Sequence, residues 1–256
     1  GDIQVSAYAS SAHCNVTSWG GSTVSVACYN HSGAAVNSDH TVAVMLNNVT
    51  TIASHAAYAW TNDPTTASYT PNSGYSYNSA GGAITATRSA TGTYAMTFTG
   101  LSLGGGDVQV SAYGSSANCN VGSWGGATVN VRCWDATGAA VDSDYTVSVI
   151  LDNVTSPAKV VGYAWASSPS SASYTPSTTY SFNSSGQGIT ATRSSAGTYA
   201  MSFAGLTFSS GDVKVSAYGS STHCNVTSWG GGTVYVKCYD ASNTPTDAYY
   251  TVVLTE

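Results

Sequence analysis

Five histidines, His13, His31, His40, His55 and His223, are the side chains of this sequence best suited to moving protons near neutrality. A nucleophilic serine would need one of them in a fixed setting, oriented by an acid. The chain repeats itself at an interval of 105 residues, and at that interval His13 and His223 match Asn118, while His40 matches Tyr145. A base that its own repeats replace with an amide or a phenol does not mark a repeated catalytic site. Glycoside hydrolysis would need two facing carboxylates. The only glutamate is the terminal Glu256, and the aspartates fall in turn-like contexts. Asp135, Asp142 and Asp144 offer oxygen ligands of the kind calcium takes. The first copy has Asn30 and Asn37 at the places of Asp135 and Asp142, and Asp135-Ala136-Thr137-Gly138 reads as a β-turn. Cys-x-x-Cys and His/Cys metal spacings are absent. The expectation is a non-enzyme with no catalytic residue, no metal and no cofactor.

Binding chemistry has better material. Arg88 and Arg193 are, apart from Lys159, the only basic residues of their segments. A guanidinium beside tyrosines can hydrogen-bond a sugar or a carboxylate; its structural alternative is to bond the carbonyls of the loop between Pro64 and Pro71. Trp60 and Trp165 stand where a strand gives way to a long loop carrying Tyr69 or Tyr174, and loops hold binding sites more often than strands do. The candidate ligand contacts are therefore Trp60, Tyr69, Arg88, Trp165, Tyr174 and Arg193.

A cysteine-framed hairpin positions everything else. Cys14 to Cys28 reads as two strands about Gly20-Gly21, and the pattern recurs from Cys119 to Cys133 and from Cys224 to Cys238. Folded about Gly21, Cys14 falls opposite Cys28, Val16 opposite Val26 and Trp19 opposite Thr23. Alternation then puts cysteines and valines on one face and Asn15, Thr17 and Trp19 on the other. The expected disulfides are Cys14–Cys28, Cys119–Cys133 and Cys224–Cys238. Trp19, Trp124 and Trp229 are core in one reading and a sugar-stacking strip in the other.

Two and a half copies of the 105-residue unit are present, each unit dividing into segments of about 50 residues. The cysteine-bearing A segments are Gly1–Thr51, Gly106–Ser156 and Gly211–Glu256; the B segments are Ile52–Gly105 and Pro157–Ser210. Strands are expected at Ile3–Tyr8, Cys14–Trp19, Thr23–Cys28 and Thr41–Leu46 in A. In B they are expected at His55–Trp60, Tyr75–Ser79, Ile84–Ser89 and Thr93–Thr99, with no strand between Pro64 and Pro71. Helical periodicity is missing, so the class is all-β. Five four-stranded segments in the order A-B-A-B-A make a five-bladed β-propeller, the favoured architecture. The alternative is tandem β-sandwich domains of about 100 residues, each a B followed by an A. That leaves Gly1–Thr51 as an unpaired half with an exposed sheet edge.

Three phrases carry a resemblance: Tyr-Ala-Trp…Pro…Ala-Ser-Tyr-Thr-Pro, Gly-Thr-Tyr-Ala-Met-Thr-Phe-Thr-Gly-Leu and Val-Gln-Val-Ser-Ala-Tyr-Gly. In combination they resemble the tandem repeats of an uncharacterised family of secreted bacterial proteins. The organisation into five short units is similar to that of five-bladed propeller lectins. The first resemblance implies secretion from a bacterium, the second sugar binding; neither implies a reaction.

Composition agrees with an extracellular setting. Only 7% of the 256 residues are charged, the net charge is −6, and the cysteine count is even. Six Lys and Arg residues in all exclude an electrostatic grip on nucleic acid, and no apolar run reaches transmembrane length. The chain opens at Gly1 without a signal peptide, which suggests a processed form or a fragment. The sequons at Asn15, Asn30, Asn48, Asn153, Asn183 and Asn225 would admit N-glycans only in a eukaryotic secretory pathway. The expected function is multivalent carbohydrate recognition at a cell surface, with glycans or other surface polymers as partners. Its rival is a subunit of an extracellular filament, sheath or envelope layer, with copies of itself as partners.

Overall fold

The computed structural model describes residues 2–45, 56–151, 160–208 and 211–255. Leu46, His55, Lys159 and the sequons at Asn48 and Asn153 lie outside the described residues. The chain is all-β, as expected. The first A segment holds β1 (Asp2–Ala7), β2 (His13–Gly20), β3 (Thr23–Tyr29) and β4 (His40–Met45). The first B segment holds β5 (Ala56–Trp60), β6 (Ser68–Tyr69), β7 (Ser76–Asn78), β8 (Ile84–Ala90) and β9 (Thr93–Phe98). Next come β10 (Asp107–Tyr113), β11 (Asn118–Gly125), β12 (Thr128–Trp134) and β13 (Asp144–Ile150) of the second A. The second B contributes β14 (Val160–Ala166), β15 (Ser173–Tyr174), β16 (Ser181–Asn183), β17 (Ile189–Ser195) and β18 (Thr198–Phe203). The third A closes with β19 (Asp212–Tyr218), β20 (His223–Gly230), β21 (Thr233–Tyr239) and β22 (Tyr249–Thr255). One expectation fails here: Ser68–Tyr69 does form a short strand, paired with Thr87 and Ala86. Pro64 and Pro71 stand outside that pair, so neither removes one of its hydrogen bonds.

The cysteine hairpins fold as read, with one correction. Cys14 faces Cys28 and Val16 faces Val26, but the register then slips, so that Ser18 faces Ser25 and Trp19 faces Val24. Thr17 is the extra residue of a β-bulge; Gly122 and Thr227 repeat it. The bulge reverses the alternation beyond it and turns Trp19 to the valine side, not to the face of Asn15. Gly21, Gly126 and Gly231 adopt φ near +58° at the hairpin tips (57°, 58° and 59°), where a Cβ would be strained. All three disulfides form as expected, each with a Cα–Cα separation of 4.0 Å.

Each B segment splits between two layers. β5 and β7 extend the layer of β10 and β13, while β9, β8 and β6 extend that of β11 and β12. Between the layers lies one core, drawn from both segments: Ala57, Ala59, Tyr94, Met96 and Phe98 meet Val108, Val121, Val129, Val131, Tyr145, Val147 and Val149. The second B and third A repeat this arrangement around Met201, Phe203, Val234, Val236, Tyr250 and Val252. The first A has a small core of its own, Ile3, Val5, Ala7, Cys14, Val16 and Cys28. Its strands β3 and β4 end their sheets with no B strand beyond them.

The three A segments also close on one another in a cycle. β2 meets β10 in parallel through Val16 and Tyr113, and β11 meets β19 through Val121 and Tyr218. Tyr8 completes the cycle by bridging to Val226.

Candidate functional site

The sequence-predicted contacts fall into two separate clusters. Trp60 and Trp165 belong to aromatic seams where one A segment meets the next B–A pair. In the first seam the Trp19 ring lies 5.8 Å from Trp60, 5.6 Å from Tyr75 and 5.3 Å from Tyr113, all edge to face. Trp60 in turn contacts Tyr75 at 5.3 Å and Tyr113 at 5.1 Å. The second seam repeats this with Trp124, Trp165, Tyr180 and Tyr218, to which Tyr249 adds a stacked ring 6.4 Å from Trp165. At the third junction, among the described residues, the contact is Trp229 on Tyr8 at 5.4 Å. Edge-to-face packing occupies the faces that a sugar would stack on. The tryptophans are half-buried, and only Tyr75 (36%) and Tyr249 (44%) present much surface.

Tyr69 is not part of the seam. Its hydroxyl accepts hydrogen bonds from the Asn62 and Asp63 amides, pinning the loop after Trp60, and burial pushes its pKa up. Burial likewise raises the Tyr174 pKa in the second copy.

Arg88 and Arg193 form the other cluster; their backbone amides donate to the Ala67 and Ala172 carbonyls of the proline-flanked loops, but their guanidiniums turn elsewhere. Arg88 Nε donates to Asp142 Oδ1 at 2.9 Å and Nη2 to Oδ2 at 2.7 Å. Asp142 Oδ1 also accepts from the Tyr94 hydroxyl and the Gly92 amide, each at 2.9 Å. Arg193 through Nε alone, with Tyr199 and the Gly197 amide, holds Asp247 Oδ1 in the second copy. Gly92 needs its φ of +61°, because a Cβ there would strike the Cys133 carbonyl. The Arg88 guanidinium, above all, draws the Asp142 pKa down to about 2, and Arg193 lowers that of Asp247. This is a clasp between B and A: in the first copy both Asp142 oxygens are engaged, and in the second Asp247 Oδ1 takes all three bonds.

Residues that sequence reasoning missed close the A cycle. Asn15 Nδ2 donates to the Ser115 and Ala117 carbonyls, Asn120 to Ser220 and Thr222, and Asn225 to Ser10 and Ala12. Ser111, Ser216 and Ser6 receive the amides of Val5, Val110 and Val215. The one available signal is that Asn15, Asn120 and Asn225 recur at the repeat interval; the sequence offers Asn15 and Asn225 as sequons and sets Asn15 beside Trp19 on a sugar-stacking face, whereas the buried amides are committed to this ring. The cavity on its axis, about 40 Å³, is lined by these serines and asparagines with His13 and His223. That is room for water, not for an organic ligand.

His13 and His223 serve the same ring. His13 Nε2–H donates to the Ser116 carbonyl at 3.0 Å and His223 Nε2–H to that of Ser11 at 2.9 Å. Burial lowers both pKa values, that of His223 to about 4. Asp135 accepts from Thr137 and Ala139 within its own turn. Among the described residues, Cys14, Cys28 and His40 alone come within metal-ligating distance of one another, and both sulfurs are spent in the disulfide. Among the described residues no helix is long and apolar enough to cross a membrane. No family model, curated protein or solved structure matches the chain.

Proposed function

We propose that this chain is a non-catalytic structural module of an extracellular assembly, joined to its neighbours through the uncovered face of its first A segment. The observation that carries this reading is a contrast between equivalent residues. Val129, Val131, Val147 and Val149 are fully buried beneath a B segment, whereas Val24, Val26 and Val42 are half-buried and Val44 is 54% exposed. An apolar sheet face with two free edges favours association. Because each large core draws on one B and the A that follows it, the architecture is best taken as tandem B–A sandwiches around a ring of A segments. A five-bladed propeller would need each segment to keep its own strands in one sheet. Three disulfides suit an oxidising, cell-exterior setting.

Light scattering on a sizing column, with electron microscopy of the same fractions, tests the reading. Concentration-dependent species larger than one chain are expected. A single monomer peak at every concentration, with nothing assembled on the grid, would end it.

Multivalent glycan binding is the second reading, favoured by two seams of like constitution with exposed Tyr75 and Tyr249 at their rims. A glycan array and a haemagglutination assay, both blank at high protein concentration, would remove it.

A further inference from the structure

The uncovered face of the first A segment has a particular shape, which its two copies define. In the second A, β12 pairs with β9 so that Val129 faces Met96 and Val131 faces Tyr94. On the other layer β13 pairs with β5, setting Val147 opposite Ala59 and Val149 opposite Ala57. Cys133 donates its amide to Gly92 and Cys238 to Gly197, so even the disulfide backbone is closed by the B turn. The first A keeps the four aliphatic residues of this acceptor, Val24, Val26, Val42 and Val44. Counting narrows the occupant. Among these 256 residues three A segments share two B segments, both engaged, so exchange of those two between copies would still leave one of these A faces empty.

We propose that the face formed by β3 and β4 is an acceptor for one further B-type segment, held in the register that the second and third A segments use. The occupant is a four- to five-stranded unit that lays a Tyr-Ala-Met-x-Phe strand on β3 and a Tyr-Ala-Trp strand on β4. This deepens the assembly reading, since the same face is the joint. Among the positions that differ from both filled copies, Asn37 replaces the clasp aspartate of Asp142 and Asp247, His40 replaces Tyr145 and Tyr250, and Ala27 replaces Arg132 and Lys237. A docked B arginine would therefore meet a neutral amide, which makes this joint weaker than the two internal ones.

The test places a second copy of residues 157–210 directly ahead of Gly1 in the otherwise intact chain, so that the join repeats Ser210-Gly211-Asp212 as Ser-Gly1-Asp2. Amide exchange at Cys28, Val24 and Val26 should slow by at least about 100-fold and approach that of Cys133, Val129 and Val131. Tyr199→Asp with Met201→Asp in the added copy should abolish the slowing. Asn37→Asp in the joined protein should slow exchange by about a further tenfold, because it restores the clasp. If that protein does not fold, residues 52–105 replace the added copy, with the same readout. Unchanged exchange at Cys28 in either folded joined protein overturns the proposal; so does an Asn37→Asp change that fails to slow it. The unmodified chain separates this inference from the assembly reading on which it rests. Slowed exchange with a chain that stays monomeric sinks the assembly and keeps the acceptor. Self-association through β3 without any slowing in the joined protein, such as two first A segments face to face, keeps the assembly and sinks the acceptor.

Discussion

Asp142 shows how one side chain sets the relation between two segments. It accepts two bonds from Arg88 and one each from Tyr94 and Gly92, and Tyr94 passes the contact on by accepting the Ser143 amide at 3.1 Å. The guanidinium holds its pKa at about 2, below the ordinary value near 4 for an unfolded chain. A carboxylate with a depressed folded pKa contributes stability that is present above pH ~4 and lost as pH falls toward 2. Asp142→Asn should therefore lower stability by roughly 2 kcal/mol at neutral pH, the loss of charge-assisted bonds. The deficit should shrink as pH falls from 4 to 2. Thermal unfolding of both proteins across that range checks this; a deficit independent of pH would mean that the charge does not matter. The first A has Asn37 at this place, so one of the three copies already carries the neutral version.

At the scale of elements the hairpin is the unit that stands most nearly alone. Its disulfide closes a loop of 14 residues, worth about 3 kcal/mol if loop entropy dominates. Replacing Cys14 and Cys28 by serine should cost that much and should open the first A segment locally, because no B segment covers β3. The same change at Cys119 and Cys133 should leave β12 protected by β9. Native-state amide exchange compares the two; equal opening in both would show that B cover adds nothing. This independence explains what was legible in the sequence. Cys14–Cys28, the tip glycines and the longer strands of both segments follow from local spacing and fold close to where spacing puts them; the short Ser68–Tyr69 strand does not. The bulge at Thr17 was illegible, because Thr17, Gly122 and Thr227 share no side-chain signature, and missing it put Trp19 on the wrong face. The arginine clasp was half legible. A lone Arg88 announced itself, but its partner is 54 residues away and nothing local selects Asp142 over other aspartates.

At the scale of the whole molecule the A ring buries titratable groups that respond to pH in opposite directions. Asp2 and Asp107 are almost fully buried, and burial lifts each pKa to about 7 even though Gln4 and Gln109 donate to them. The third copy meets the same demand differently: Lys214 stands where the others have glutamine, and its ammonium lies 2.6 Å from Asp212. An acid with a raised folded pKa stabilises the fold below pH ~4, and that stability is lost as pH rises through 7. Buried His223 runs the other way. Its folded pKa of about 4 lies below the ordinary 6.5, so its contribution is complete above pH ~6.5 and lost as pH falls toward 4. The two trends overlap between pH 4 and 7 and mask each other in the intact protein. Asp107→Asn, which keeps the shape and removes the charge, should match the parent at pH 4 and become more stable than it as pH rises to 7, by an upper bound on the order of 4 kcal/mol. His223→Asn copies Asn118, which already bonds the Ser221 and Thr222 carbonyls in the second copy. It should match the parent at pH 7 and exceed it in acid, by roughly 3 kcal/mol at most. Urea unfolding of the three proteins at pH 4, 5.5 and 7 separates the trends. Parallel curves would mean that these groups reach water in the folded ring, so that the A segments do not close as tightly as Asn15, Asn120 and Asn225 require.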